Sequence, residues 1–163
     1  RIARGEFATA KGYALTADDR LRADLTAAMK GRDELRTATL RMVLAAVSAE
    51  EVSGKEAREL SDDEVQAVLR REAKKRREAA EAFASAGREE QAAREQAEGE
   101  VLAGYLPAQM EDADLAAIVA DVITTSGASG MKDMGRVMGA AQAAVAGRAE
   151  GSRVAAEVRR QLG

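Results

Sequence analysis

Alanine supplies 38 of the 75 apolar residues in this 163-residue chain, leaving 37 larger hydrophobic side chains to build a core. That supply is thin for one compact globule. It favours slender helical units in which Ala sits where helices approach closely. Alanine is also the strongest helix former, Arg, Glu, Lys and Gln follow it, and 33% of the chain is charged. The expected fold class is all-α, and the length fits one domain or two small ones.

The residue types that are absent narrow the chemistry further. With no His and no Cys there is no thiol nucleophile, no Ser-His-Asp triad, no imidazole acid–base catalyst and no zinc site of the usual kind. Disulfides are excluded as well. The 25 basic and 28 acidic residues give a formal charge of −3, which argues against wholesale neutralisation of nucleic acid but leaves room for a local basic face. No apolar run approaches a membrane span and no signal-peptide pattern is read, so the expectation is a soluble cytoplasmic protein with no membrane partner.

Residues 1–15 show no sustained period, begin on Arg, and contain Glu6-Phe7, the dipeptide that a common cloning site encodes. They read as a cloning remnant or a natural extension. A helix is predicted from Thr16, whose spacing to Asp19 resembles a capping box, to about Lys30, with Leu21, Leu25 and Met29 four apart. A second runs from about Asp33 to Ser53 on the stripe Leu40, Val43, Leu44, Val47. Ser61 to Glu64 form a full capping box and open a third, with Val65, Val68, Leu69, Ala73 and Ala80 on its buried face and Phe83 as the far anchor. A fourth spans roughly Arg88 to Tyr105. Its first half offers only Ala92, Ala93 and Ala97 to a core and is expected to fray or to shield a neighbour.

Pro107, the one proline, biases Leu106 away from helix and marks a boundary between residues 16–106 and 107–163. Beyond it a helix starts at Asp112 or Ala113, carries Leu115, Ile118, Val119, Val122 and Ile123, and stops in the Ser/Gly-rich stretch 124–130. A further helix carries Met134, Val137, Met138, Ala141 and Val145 to Gly147, and a last one carries Val154, Val158 and Leu162. The reading is therefore two small helical domains, an N-terminal one of about four helices and a C-terminal three-helix bundle.

The sharpest charge feature is residues 70–77, six of whose eight members are basic. Arg70, Lys74 and Arg77 at i, i+4, i+7 form one stripe about 10 Å long, a few phosphates in extent. Against that stands a solvated face on which Glu72 pairs with Arg76, Glu78 with Lys74 and Glu81 with Arg77. Glu95 and Glu98 share a face, but a metal site in a bundle also wants an inward His, and pairing with the basic stripe is the simpler account. Gly127 to Gly130 lacks the Lys-Ser/Thr ending of a phosphate-binding loop and follows no strand. A helix start after Gly130, with Lys132 beside it, could still seat one backbone phosphate, the plainer reading being an ordinary interhelix turn. Gly147 to Arg153 is a compact turn in which Ser152 or Glu150 would cap a new helix and Arg148 and Arg153 would point into solvent, as surface charge or RNA contacts.

The segments Ala28-Met29-Lys30, Thr39-Leu40-Arg41-Met42, Lys74 to Phe83, Gly87-Arg88-Glu89-Glu90, Tyr105-Leu106-Pro107, Lys132 to Met138 and Gly147 to Gly151 together resemble the YqeY family. The resemblance runs from about Leu21 to Leu162. It implies two helical domains, the second similar to the C-terminal tail domain of the B subunit of the glutamine-dependent aminoacyl-tRNA amidotransferase, which contacts tRNA while the chemistry occurs elsewhere. On that basis Lys132, Gly135, Arg136, Gly147, Arg148 and Gly151 are expected to face tRNA, with Met134 and Met138 behind them. Between the two glycine motifs residues 140–146 are uncharged, where the family usually carries a proline and lysines, and Glu150 stands where it usually has Asp.

The expected function is a non-catalytic module that binds tRNA, or a tRNA-modifying enzyme holding its tRNA, through Arg70, Lys74, Arg77, Lys132, Gly135, Arg136, Gly147, Arg148, Gly151 and Arg153. No catalytic residue, cofactor or metal is expected. The alternatives are a protein-interaction adaptor and an auxiliary component of a carbon–nitrogen ligase that uses glutamine as amido donor.

Overall fold

The structure is a computed structural model that describes residues 15–163, so the reading of the extreme N-terminus falls outside the described residues except at Leu15. All regular structure among the described residues is helical, as expected. The chain divides into two compact units, the first ending at Leu106 and the second running Pro107–Gly163.

The first unit contains α1 (Ala17–Lys30), α2 (Glu34–Glu51), α3 (Asp62–Ser85) and α4 (Glu89–Ala103). Local sequence chemistry sets the starts. The Thr16 hydroxyl accepts the Asp19 amide at 3.1 Å, and the Asp19 carboxylate accepts the Thr16 amide at 3.4 Å. Ser61 and Glu64 repeat the reciprocal pair at the head of α3, at 3.2 and 3.3 Å. Leu21, Leu40, Val43, Leu44, Val47, Val65, Val68 and Leu69 then meet in one core, closed by Leu102, Tyr105 and Leu106 from the end of the unit. Each such side chain taken from water contributes up to about 1.5–3 kcal/mol.

The first half of α4, expected to fray or to shield a neighbour, takes the second course, with Ala92 buried. Further along, at Gly99, a Cβ would stand 3.7 Å from the Cβ of Arg76, so small residues let α4 lie close along α3. One expectation for this unit needs correction. Phe83 is only half-buried rather than a core anchor. Its carbonyl instead accepts the Arg88 amide at 2.8 Å and shapes the turn into α4.

The second unit contains α5 (Asp112–Ser126), a 3-10 turn (Met131–Asp133), α6 (Met134–Val145) and α7 (Gly151–Leu162). Leu115 and Val119 of α5, Val137, Ala141 and Val145 of α6, and Val154 and Val158 of α7 form its core, capped by Met110 and Ala149. α5 stops at Gly127, whose φ of +69° favours a residue without Cβ. Neither this unit nor the first has, among the described residues, a helix long and apolar enough to cross a membrane.

Candidate nucleic-acid interface

The basic octet of α3 splits according to which side of the helix each residue occupies. Arg70, Arg71, Lys74, Lys75 and Arg77 are exposed. Arg76 turns inward, where its Nη1 lies 3.3 Å from Glu95 Oε2 and 3.5 Å from Glu98 Oε2 of α4. The two acids do pair between helices, but with Arg76, which faces α4, rather than with the stripe Arg70, Lys74 and Arg77 as expected. The expected Glu72–Arg76 pair is replaced by Glu72–Lys75 at 3.0 Å. The Glu78–Lys74 pair is present, though long at 3.9 Å. Arg71 reaches Glu50 of α2 at 3.2 Å, whereas Arg70 makes no ion pair among the described residues. Surface pairs of this kind contribute about 0–1 kcal/mol and exchange readily for a phosphate. The ridge from Arg70 to Arg77 is therefore an exposed row of cations about 10 Å long.

In the second unit the expected contact residues have more internal work. Arg136 donates from Nη1 to the Ser126 carbonyl oxygen and from Nη2 to Asp133 Oδ1, both at 2.9 Å, tying the start of α6 to the end of α5. Asp133 Oδ2 accepts the Ser129 amide at 3.0 Å, and that bond, with Arg136 beside it, holds the carboxyl below its ordinary range. A carboxylate thus already stands before the first turn of α6, where the glycine-rich stretch suggests a phosphate seat. Lys132 is exposed on the 3-10 turn, and at Gly135 a Cβ would meet nothing within 4 Å.

The turn between α6 and α7 takes two consecutive left-handed residues, Ala146 and Gly147, at φ +49° and +77°. Arg148 is exposed, with Nε 3.3 Å from the Val145 carbonyl oxygen. Glu150 is the N-cap of α7, but its side chain does not cap the helix, and neither does that of Ser152. At Gly151 a Cβ would approach Gln142 Nε2 to 3.6 Å. Arg153 does not point into solvent: its Nη2 donates to the Met110 carbonyl oxygen at 2.9 Å and to Asp112 Oδ1 at 2.8 Å, fastening the segment before α5 to α7. Of the expected contact residues, Lys132 and Arg148 are thus the cations left most open to a ligand.

No group of three or more acidic, His or Cys side chains suited to a metal occurs among the described residues. Sequence periodicity also passed over two exposed arginines, Arg32 and Arg41. A left-handed backbone, with φ +54°, is the signal at Arg32, and it is visible only in three dimensions.

Residues 18–162 match the model of the YqeY family, described as Yqey-like protein. The chain belongs to the YqeY family. Comparison with curated proteins finds no match. The YqeY match opens in the first turn of α1 and closes at the last residue of α7, so both helical units belong to the family's span.

Proposed function

We propose that this YqeY-family protein is a non-catalytic module that binds tRNA, alone or on a tRNA-modifying enzyme, with the α3 ridge as the principal phosphate contact. The observation that carries the reading is the exposed row Arg70, Lys74 and Arg77, flanked by Arg71 and Lys75, on one rigid helix. The resemblance of the second-unit motifs to a tRNA-contacting tail domain supports tRNA as the RNA class, with Lys132 and Arg148 as added contacts. Gly147 contributes a left-handed turn, Gly135 and Gly151 leave the starts of α6 and α7 without side chains, and Arg136 and Arg153 hold the unit in form. Tyr105 is buried and Phe83 half-buried, so single-stranded bases find no stacking platform among the described residues, and helical shape does the selecting.

Fluorescence anisotropy with total tRNA tests the proposal. Binding at micromolar protein in about 50 mM salt is expected, weakening as salt rises with a log–log slope of about −2 to −3 for three phosphate contacts. The triple variant R70A/K74A/R77A should weaken binding at least about tenfold and flatten that slope. No binding at tens of micromolar, or binding indifferent to salt, overturns the reading. Incubation with glutamine, ATP and misacylated tRNA is expected to give no amide product, and turnover by the protein alone would overturn its non-catalytic part.

A further inference from the structure

The corner where α1 hands over to α2 holds a shallow depression of about 450 Å³ lined by Met29, Arg32, Glu34, Thr37, Ala38 and Arg41. Thr37 and Ala38 form a half-buried floor, and Met29 lies over it with half of its surface exposed. Arg41 Nη2 approaches Met29 Sδ at 3.8 Å, and neither Arg41 nor Arg32 has an acidic partner among the described residues. The one acid in the lining is already committed, because Arg94 Nη1 and Nη2 each donate to a Glu34 carboxylate oxygen at 3.0 Å. The depression therefore combines a small apolar floor with two uncompensated positive charges.

The backbone adds a second observation. At the junction Gly31 keeps a right-handed φ of −79°, while Arg32 takes the left-handed one. Glycine would fill that position without strain. The chain instead carries a strained arginine that forms no internal ion pair, which is the pattern of a side chain displayed for something outside the molecule.

We infer that this corner is a docking site for an acidic segment of a partner protein, whose aliphatic side chain rests on Met29 and Ala38 while neighbouring carboxylates pair with Arg32 and Arg41. Charge complementarity sets the sign of the partner, since an anion is needed to compensate the two guanidinium groups. The apolar floor favours a peptide over nucleic acid, because a phosphate backbone brings no aliphatic group to fill it and a base finds no aromatic plane here. Methionine, flexible and polarisable, adapts to such an anchor without demanding one shape. Arginine forks bind carboxylates bidentately, which gives the contact direction as well as charge. The site belongs to α1 and α2, the proposed phosphate row to α3, so the two readings stand or fall separately.

Selection of a displayed library of random peptides against the full chain tests this. The expected enrichment is Asp or Glu flanking Leu, Ile or Met, and a labelled synthetic peptide of that consensus should bind the R32E/R41E variant at least about tenfold more weakly. A38W, which fills the floor and leaves both charges, should also weaken it, while R70A/K74A/R77A should leave it unchanged. An enriched set without acidic residues, or acidic peptides that bind all variants alike, overturns the inference. So does R32E/R41E losing tRNA affinity as fully as the α3 variant, since the corner would then belong to RNA.

Discussion

The phenol of Tyr105 donates to Oδ2 of Asp24, 81 positions earlier in the chain, at 2.5 Å. Arg36 Nη2 donates to the same hydroxyl at 3.2 Å, and the Arg20 guanidinium lies 4.6 Å above the ring. One buried aromatic thus fastens the segment following α4 to both α1 and α2. Burial first, and then the Asp24 carboxylate, push the Tyr105 hydroxyl well above the ordinary phenol range.

Tyr105→Phe keeps the ring and removes the donor, leaving Asp24 with Arg36 at 3.8 Å as its ion partner. A loss of about 1–3 kcal/mol is expected in urea unfolding. Asp24→Asn should cost less in the Tyr105→Phe background than in the native one, giving a coupling above about 0.5 kcal/mol. Strictly additive effects would mean that the pair does not act as a unit.

Two arginines of the same basic run should behave oppositely. Arg76→Ala breaks the ion pair of Glu95, only 17% exposed, and one of the two pairs of Glu98, 13% exposed, which keeps Arg94 at 3.2 Å; it should cost about 1–3 kcal/mol. Arg70→Ala, at an exposed position, should stay within about 0.5 kcal/mol. Thermal unfolding of the two variants side by side checks the contrast, and equal midpoints would refute it.

Arg136→Lys preserves the charge but cannot span the Ser126 carbonyl and the Asp133 carboxylate with two separate nitrogens. It should destabilise the second unit by about 1 kcal/mol while changing tRNA affinity less than about twofold. Hydrogen exchange of the α5 and α6 amides reads the first quantity and anisotropy the second. A large affinity loss with unchanged protection would make Arg136 an RNA contact after all.

Arg32 and Ala146 hold left-handed backbone with a Cβ in place. Replacing either by Gly relieves that strain and should raise stability by about 0.5–1 kcal/mol, net of the extra freedom glycine gives the unfolded chain. A lower urea midpoint for Ala146→Gly would contradict the turn geometry between α6 and α7.

The pH profile of stability should be flat near neutrality, because the chain has no His. On the acid side Arg58 holds Glu64 down at about 2, and Arg160 does the same for Glu157. Both carboxyls are depressed on folding, so their contribution is present above the unfolded value of 4.5 and is lost as pH falls from there toward 2. For Tyr105 the folded value is raised, so its contribution is present below about pH 10 and is lost on further alkalinisation. Urea midpoints measured across the range check both limbs, and a transition centred between about pH 6 and 8, the window of an imidazole, would contradict them.

Much of the fold was legible because the signals are local. A Thr16 or Ser61 hydroxyl needs only the amide three residues on, and stripes such as Leu40, Val43, Leu44 and Val47 follow from helical period alone. The basic row of α3 was legible for the same reason. The fate of its members was not, since Arg76 and Arg70 look alike in sequence and differ only in which faces α4.

Capping and periodicity act over three or four residues, and they sufficed to specify an all-helical chain with defined starts and stops. Packing settled the rest: that the start of α4, with only alanines to bury, is held against α3, that Arg136 and Arg153 bind backbone carbonyls, and that Arg32 and Arg41 flank one depression. Those outcomes depend on the distance and angle at which helices meet, and a partner tens of residues away in the chain enters hydrogen-bond range only once the cores have packed.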